Sequence, residues 1–229
     1  MSSVKGPNAM LSKQVSHSTE GRRPELRGPR RSRLSCAERR ALQAAALSVA
    51  GFCVYGFATG SPSTVGYVSS VICIGAAIVW LRRAALPSPL AAGLAIAAIA
   101  TLAGGLINVG QNVLFNASIG PYSKTAGTHL LQYDHLAHAY VSFVVAFACW
   151  VMLAAPHAGS DNRGVLVLLA VVAGLGLGAL NEMVEFLATL AHHGGHVGGY
   201  WNTGWDLFCN FIGAGAAGLV IARSQARAA

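Results

Sequence analysis

Long apolar segments occupy the chain from about residue 41 to its end, and they restrict the folds open to it. A helix needs about 20 apolar residues to cross a hydrocarbon core about 30 Å thick, and six segments qualify. Only 10 % of the 229 residues are charged, far below the roughly 25 % of a water-soluble domain. We therefore predict an all-α, polytopic membrane bundle of about six transmembrane helices. The predicted spans are residues 41–59, 64–82, 89–109, 135–155, 164–192 and 204–223.

The first 38 residues have a different character. They are polar, rich in Ser, Arg, Gly and Pro, and lack helical periodicity, so we predict a disordered basic tail over residues 1–38 and a helix bundle over residues 39–229. Ten of the sixteen Lys and Arg residues lie before residue 41. Basic clusters beside a span mark the cytoplasmic side and contact anionic lipid headgroups. We therefore expect this basic segment to contact membrane lipids and not nucleic acid.

The distribution of positive charge also predicts the orientation. If the N-terminus is cytoplasmic, fifteen of the sixteen Lys and Arg residues lie inside and only Lys124 lies outside. Cytoplasmic loops carry an excess of Lys and Arg. We therefore predict an even number of spans in a bacterial cytoplasmic membrane, with both termini in the cytoplasm.

Four of the eight acidic residues lie in or beside the last three predicted spans, at their outer ends. They are Asp134, Glu182, Glu185 and Asp206. Helical spacing pairs Asp134 with His138 and Asp206 with Asn210, each four residues apart, whereas the two glutamates are three apart. Three helices can therefore direct carboxylates to one place.

Ionised side chains inside a membrane are unfavourable unless they are paired, and these carboxylates have no Lys or Arg near them in the sequence apart from Lys124. Three interpretations follow. The carboxylates bind a divalent metal such as Zn, Mn or Fe together with histidine; they form a proton or ion relay; or they form a structural polar cluster that holds the helices together.

The metal interpretation assigns a role to each residue. Asp134, His138, Glu182 and Asp206 are the predicted metal ligands, and Glu185 is the predicted general base, poised by burial. Five further residues are predicted to line the site. They are His135, Asn181, His192, His193 and Asn210.

Three strings within roughly residues 128–220 resemble known families. They are YDHLAHAYVSF, NEMVEF and WDLFCNFIGAGAAG. Together they resemble the YjdF-like family of uncharacterised bacterial inner-membrane proteins. More distantly they resemble VanZ-like proteins, although the Arg that tends to precede the last Asp in that family is missing between His196 and Asp206. VanZ-like proteins are linked to glycopeptide-antibiotic tolerance, so the resemblance implies a role in the cell envelope.

The leading functional hypothesis is a metal-dependent hydrolase or transferase that acts on a lipid or cell-envelope precursor. The alternatives are a proton- or ion-coupled transporter that uses the same acids, and a non-catalytic membrane factor. The carrier hypothesis is disfavoured because the acids lie near one surface, whereas carrier sites usually lie near the midplane.

The predicted topology is testable with reporter tags. Tags at residue 1, near Arg83 and at residue 229 should report the cytoplasm, and a tag near Lys124 should report the outside, because the charge bias sets the orientation. A cytoplasmic report from residues 110–133 would contradict the topology and move the acidic layer to the opposite face.

Overall fold

The structure is a computed structural model that describes residues 36–60, 87–123, 128–129, 131–157, 161–191 and 199–228. Most of these residues are helical. The helices are α1 (Cys36–Ala58), α2 (Ser88–Leu106), α3 (Tyr133–Ala154), α4 (Arg163–Ala191) and α5 (Tyr200–Ala228). A short 3₁₀ helix, Leu114–Asn116, precedes α3.

Four of the described helices, α2 to α5, are long and apolar enough to cross a membrane. Helix α1 contains a shorter apolar stretch, Gln43–Ala58. The predicted second span, 64–82, and most of the predicted tail lie outside the described residues. The count of six spans and the sides of the two termini therefore stay predictions.

The connection between α2 and α3 contains two small hairpins where the all-α prediction had only a loop. Strand β1 (Asn108–Val109) pairs antiparallel with β2 (Asn112–Val113), and β3 (Tyr122–Ser123) pairs antiparallel with β4 (Thr128–His129). Gly110 makes the first turn with a φ of +65°, a conformation that glycine adopts without steric cost. Strands of two residues carry too little period-2 pattern to be recognised in a sequence.

The start of α3 is fixed by a reciprocal cap. The backbone N–H of Gln132 donates to Nδ1 of His135 at 3.1 Å, while the Gln132 side chain accepts from the backbone of the same histidine. Such caps satisfy N–H groups that the first turn leaves without partners. The cap is also tied to the preceding connection, because the N–H of Tyr133 donates to the Ala117 carbonyl at 3.0 Å.

Helix α3 packs against α2, α4 and α5, and α4 also packs against α5. Small residues line the closest approaches: Ala146 and Ala214 are fully buried, and a Cβ on Gly213 would overlap the backbone carbonyl of Ala139. Small residues bring helix backbones close together, which strengthens packing in a membrane. By contrast, many large apolar side chains of α4 and α5 are exposed, as expected of a face that meets lipid.

The close contact at Gly213 gives a stability prediction. Gly213→Ala should lower the free energy of unfolding by roughly 1–3 kcal/mol, because the new Cβ forces α3 and α5 apart. The measurement is the midpoint of unfolding of the protein purified in detergent. Gly215→Ala is the matched control, since nothing lies within 4 Å of a Cβ at that position. Equal stability of the two variants would contradict this account of the packing.

Candidate functional site

The cluster lies where the beginning of α3, the last third of α4 and the beginning of α5 meet. His138 is five residues after the first residue of α3, Glu182 is nine before the last residue of α4, and Asp206 is six after the first residue of α5. At 1.5 Å per residue, these positions are roughly 8–14 Å inside the helix ends. The side chains of Glu182 and Asp206 are buried, at 5 % and 0 % exposure.

His138 is the centre of the cluster, and both of its ring nitrogens face carboxylates. Its Nδ1 lies 3.3 Å from Oε1 of Glu182. Its Nε2 lies 3.4 Å from Oδ1 of Asp134 and 3.9 Å from Oδ1 of Asp206. The helical spacing predicted the contact between His138 and Asp134, and the structure adds the two contacts that join α3 to α4 and α5.

Asn202 holds two of these carboxylates in place, and it was not among the predicted residues. Its Nδ2 donates to Oδ2 of Asp206 at 2.5 Å and to Oδ2 of Asp134 at 3.2 Å. The predicted sixth span began at residue 204, whereas α5 begins at Tyr200. Polar residues in the first turn made the segment look like a loop. The four-residue spacing from Asn202 to Asp206 is the signal that could have identified it.

His135 is almost fully buried and is held by the cap of α3. Because its Nδ1 accepts from the Gln132 N–H, a neutral His135 carries its proton on Nε2. That Nε2 lies 4.0 Å from Oδ1 of Asp206, and the ring lies 5.9 Å from the ring of Trp205. His135 therefore belongs to the cluster as a neighbour of a carboxylate.

A second polar layer lies one helical turn farther from the helix ends than His138 and Asp206, and it is the last polar layer of the cluster. Ser142 donates from Oγ to Oδ1 of Asn210 at 2.6 Å, and both residues are buried. A Cβ on Gly178 would lie 2.7 Å from Nδ2 of Asn210, so the glycine makes room for this amide. One further turn along α3 and α5 lie Ala146 and Ala214, both fully buried. Within the described helices, the polar layers therefore end against small apolar residues.

Glu185 lies closer to the helix end than Glu182 and is half-buried. Its Oε1 accepts from Nδ2 of Asn181 at 2.7 Å. Asn181 itself is exposed, and it contacts the site through the two glutamates of α4. The other two predicted lining residues, His192 and His193, lie outside the described residues.

Two overlapping groups have ligand atoms close enough to hold one metal ion, and both contain His138. In each group the ligand atoms lie within 4.8 Å of one another. The groups are Asp134, His138 and Asp206, and His138, Glu182 and Glu185. Ligands about 2.1 Å from a tetrahedral zinc ion are about 3.4 Å apart, close to the shortest distances around His138.

Two oxygens in the cluster are buried without a hydrogen-bond donor. They are Oε1 of Glu182 and Oδ1 of Asp206. Both lie at ion-pair distance from His138 but form no aligned hydrogen bond with it. Within the described part of the chain, no Lys or Arg nitrogen lies within 4 Å of either oxygen. Buried carboxylate oxygens without donors are unfavourable unless a cation or a proton joins them.

The basic side chains of α4 and α5 lie at the opposite end of these helices. Arg163, the first residue of α4, donates to Oε1 of Gln225 near the end of α5 at 2.6 Å. Arg223 and Arg227 lie in the same last turns of α5. The two helices therefore separate cations at one end from carboxylates at the other.

These features define a membrane protein of apolar helices with a cluster of His and carboxylate side chains at one end of the bundle. The chain belongs to the family of predicted membrane proteins designated DUF2238, which matches residues 41–227.

The match confirms the YjdF-like resemblance and extends it from roughly residues 128–220 to the apolar segments that precede them. The VanZ-like resemblance stays a prediction. No curated protein and no solved structure matches the chain.

Proposed function

We propose that this protein is a metal-dependent hydrolase or transferase of the bacterial cytoplasmic membrane. It acts on a lipid or cell-envelope precursor at the outer face. The proposed cofactor is a divalent cation such as Zn, Mn or Fe, held by His138 and its carboxylate neighbours. One observation carries the proposal: both ring nitrogens of His138 face carboxylates, and those of Glu182 and Asp206 are buried.

The chemistry of imidazole makes this arrangement informative. A neutral imidazole donates from one nitrogen and has a lone pair on the other. With carboxylates at both nitrogens, the lone pair of a neutral imidazole faces an oxygen, and that contact is repulsive unless a cation or a second proton lies between the two atoms. On the Nε2 side of the ring, Oδ1 of the fully buried Asp206 also lacks a hydrogen-bond donor. A divalent cation satisfies the nitrogen and the oxygen together.

The half-buried Glu185 supports the catalytic part of the proposal. A bound divalent metal polarises a substrate oxygen or lowers the pKa of a bound water. Glu185 lies toward the helix end, close to His138, with one oxygen held by Asn181. In this proposal Glu185 accepts a proton from the attacking water or acceptor group.

Ion-coupled transport is the second candidate, and the depth of the polar cluster disfavours it. A carrier needs a polar route that continues across the membrane or a site near its midplane. In the described helices, the polar side chains of the cluster end at Ser142 and Asn210, and Ala146 and Ala214 follow. A polar cluster that does not continue past these alanines favours binding and chemistry at one face.

Metal content is the first test of the proposal. The full-length protein, purified in detergent without chelator, should contain about one Zn, Mn or Fe ion per chain by elemental analysis. Asp206→Asn should remove most of it, because the change deletes a buried anionic ligand while preserving size. Asp161→Asn is the matched control, since Asp161 is exposed and far from the cluster in sequence.

Two results would contradict the metal centre. The first is a folded wild-type protein without metal, even after incubation with these ions. The second is equal metal content in the two Asp→Asn variants. Either result would favour a cluster in which a doubly protonated His138 pairs with the carboxylates.

A turnover assay tests the role of Glu185. With a bacterial polar lipid extract that contains polyprenyl-linked diphosphates, phosphorus NMR should show metal-dependent release or transfer of a headgroup. Glu185→Gln should retain the metal and slow turnover by about 10²–10⁴-fold, the usual contribution of a general base. Asn181→Ala, which removes the partner of Glu185, should cause a smaller loss. Unchanged turnover in Glu185→Gln would exclude the proposed base.

A further inference from the structure

The two groups that could hold an ion are not equivalent, because His138 presents a different nitrogen to each. On the Nε2 side lie Oδ1 of Asp134 and Oδ1 of Asp206. On the Nδ1 side lies Oε1 of Glu182. A single neutral imidazole can ligate through one nitrogen and donate from the other. The structure around each nitrogen therefore indicates which side holds the ion.

The Nε2 side is already organised by Asn202. One amide nitrogen donates to Oδ2 of both Asp134 and Asp206. These hydrogen bonds occupy the outer oxygen of each carboxylate and leave both Oδ1 atoms facing Nε2. Two carboxylate oxygens and one ring nitrogen, from two helices, therefore converge. Ligands held in place by a second set of residues are typical of metal sites.

The Nδ1 side has the geometry of an orienting contact. Oε1 of Glu182 lies 3.3 Å from Nδ1, and a shift of a few tenths of an ångström would bring it within the usual range of an N–H···O hydrogen bond. Histidine ligands in metal sites almost always donate their second N–H to a carboxylate or carbonyl, which fixes the ring and increases its basicity. The neighbouring Glu185 is engaged by Asn181 on the more exposed side.

From this asymmetry we propose a division of roles that rests on the metal centre proposed above. Asp134 Oδ1, His138 Nε2 and Asp206 Oδ1 hold the ion. Glu182 is a positioning residue that accepts the Nδ1 proton of His138, and Asn202 is a positioning residue that orients the two aspartates. Three protein ligands leave a coordination position for water or substrate, as in catalytic zinc sites.

The experiment uses Zn²⁺ as the probe and the full-length protein in lipid nanodiscs. Isothermal titration calorimetry compares wild type with Glu182→Gln, Asn202→Ala and Asp206→Asn. The two positioning variants should bind Zn²⁺ about 10–100-fold more weakly with unchanged stoichiometry. Asp206→Asn should lose measurable binding. Asn162→Ala, an exposed amide variant next to the first residue of α4, at the end opposite the cluster, is the control for Asn202→Ala and should bind like wild type.

Nitrogen NMR of ring-labelled histidine identifies the coordinating atom. Zn²⁺ should shift Nε2 of His138, while Nδ1 keeps its proton; His138→Gln assigns the signals. Coordination through Nδ1, or loss of binding in Glu182→Gln as complete as in Asp206→Asn, would overturn the division of roles and place the ion beside Glu182 and Glu185. If wild type binds no Zn²⁺, Mn²⁺ or Fe²⁺, the metal centre itself is overturned, which is a different result.

Discussion

Burial of several carboxylates in an apolar bundle is the constraint on which the site depends. In the described helices, the cations of α4 and α5 lie at the far end, and His138 is the group that contacts carboxylates from α3, α4 and α5. The cost of burying these charges falls only if the three helices bring donors or a cation to them. The three helices must therefore converge if the buried carboxylates are to be paired.

Small residues make that convergence possible. Gly213 lets α5 approach the backbone of α3, and Gly178 leaves space on α4 for the amide of Asn210. Without them, the helices would stand farther apart and the distances around His138 would exceed those of ion pairs or of a coordination sphere. One turn beyond Asn210, the fully buried Ala146 and Ala214 fill the space between α3 and α5. Small residues thus both position the cluster, at the two glycines, and limit its depth, at the two alanines.

Much of the architecture could be predicted because its causes are local. The predicted span 164–192 corresponds to α4, Arg163–Ala191, since a long apolar run between polar loops permits little else. The spacing of Asp134 and His138 predicted their contact. The contact of Asn202 with Asp134 and the exposure of Asn181 could not be predicted, because they depend on where α5 begins and on how α4 is rotated against its neighbours. Hydropathy gives neither quantity.

The carboxylates of the cluster lie at different positions along their helices. Asp134 lies in the first turn of α3, where the helix dipole stabilises negative charge. Glu182 lies in the last third of α4, so it gains nothing comparable and depends on a donor from another helix. His138 can supply that donor from Nδ1 while Nε2 either binds the proposed cation or carries a second proton. Helix direction thus places one aspartate at the positive end of the α3 dipole, and it places the glutamate where an imidazole N–H is available.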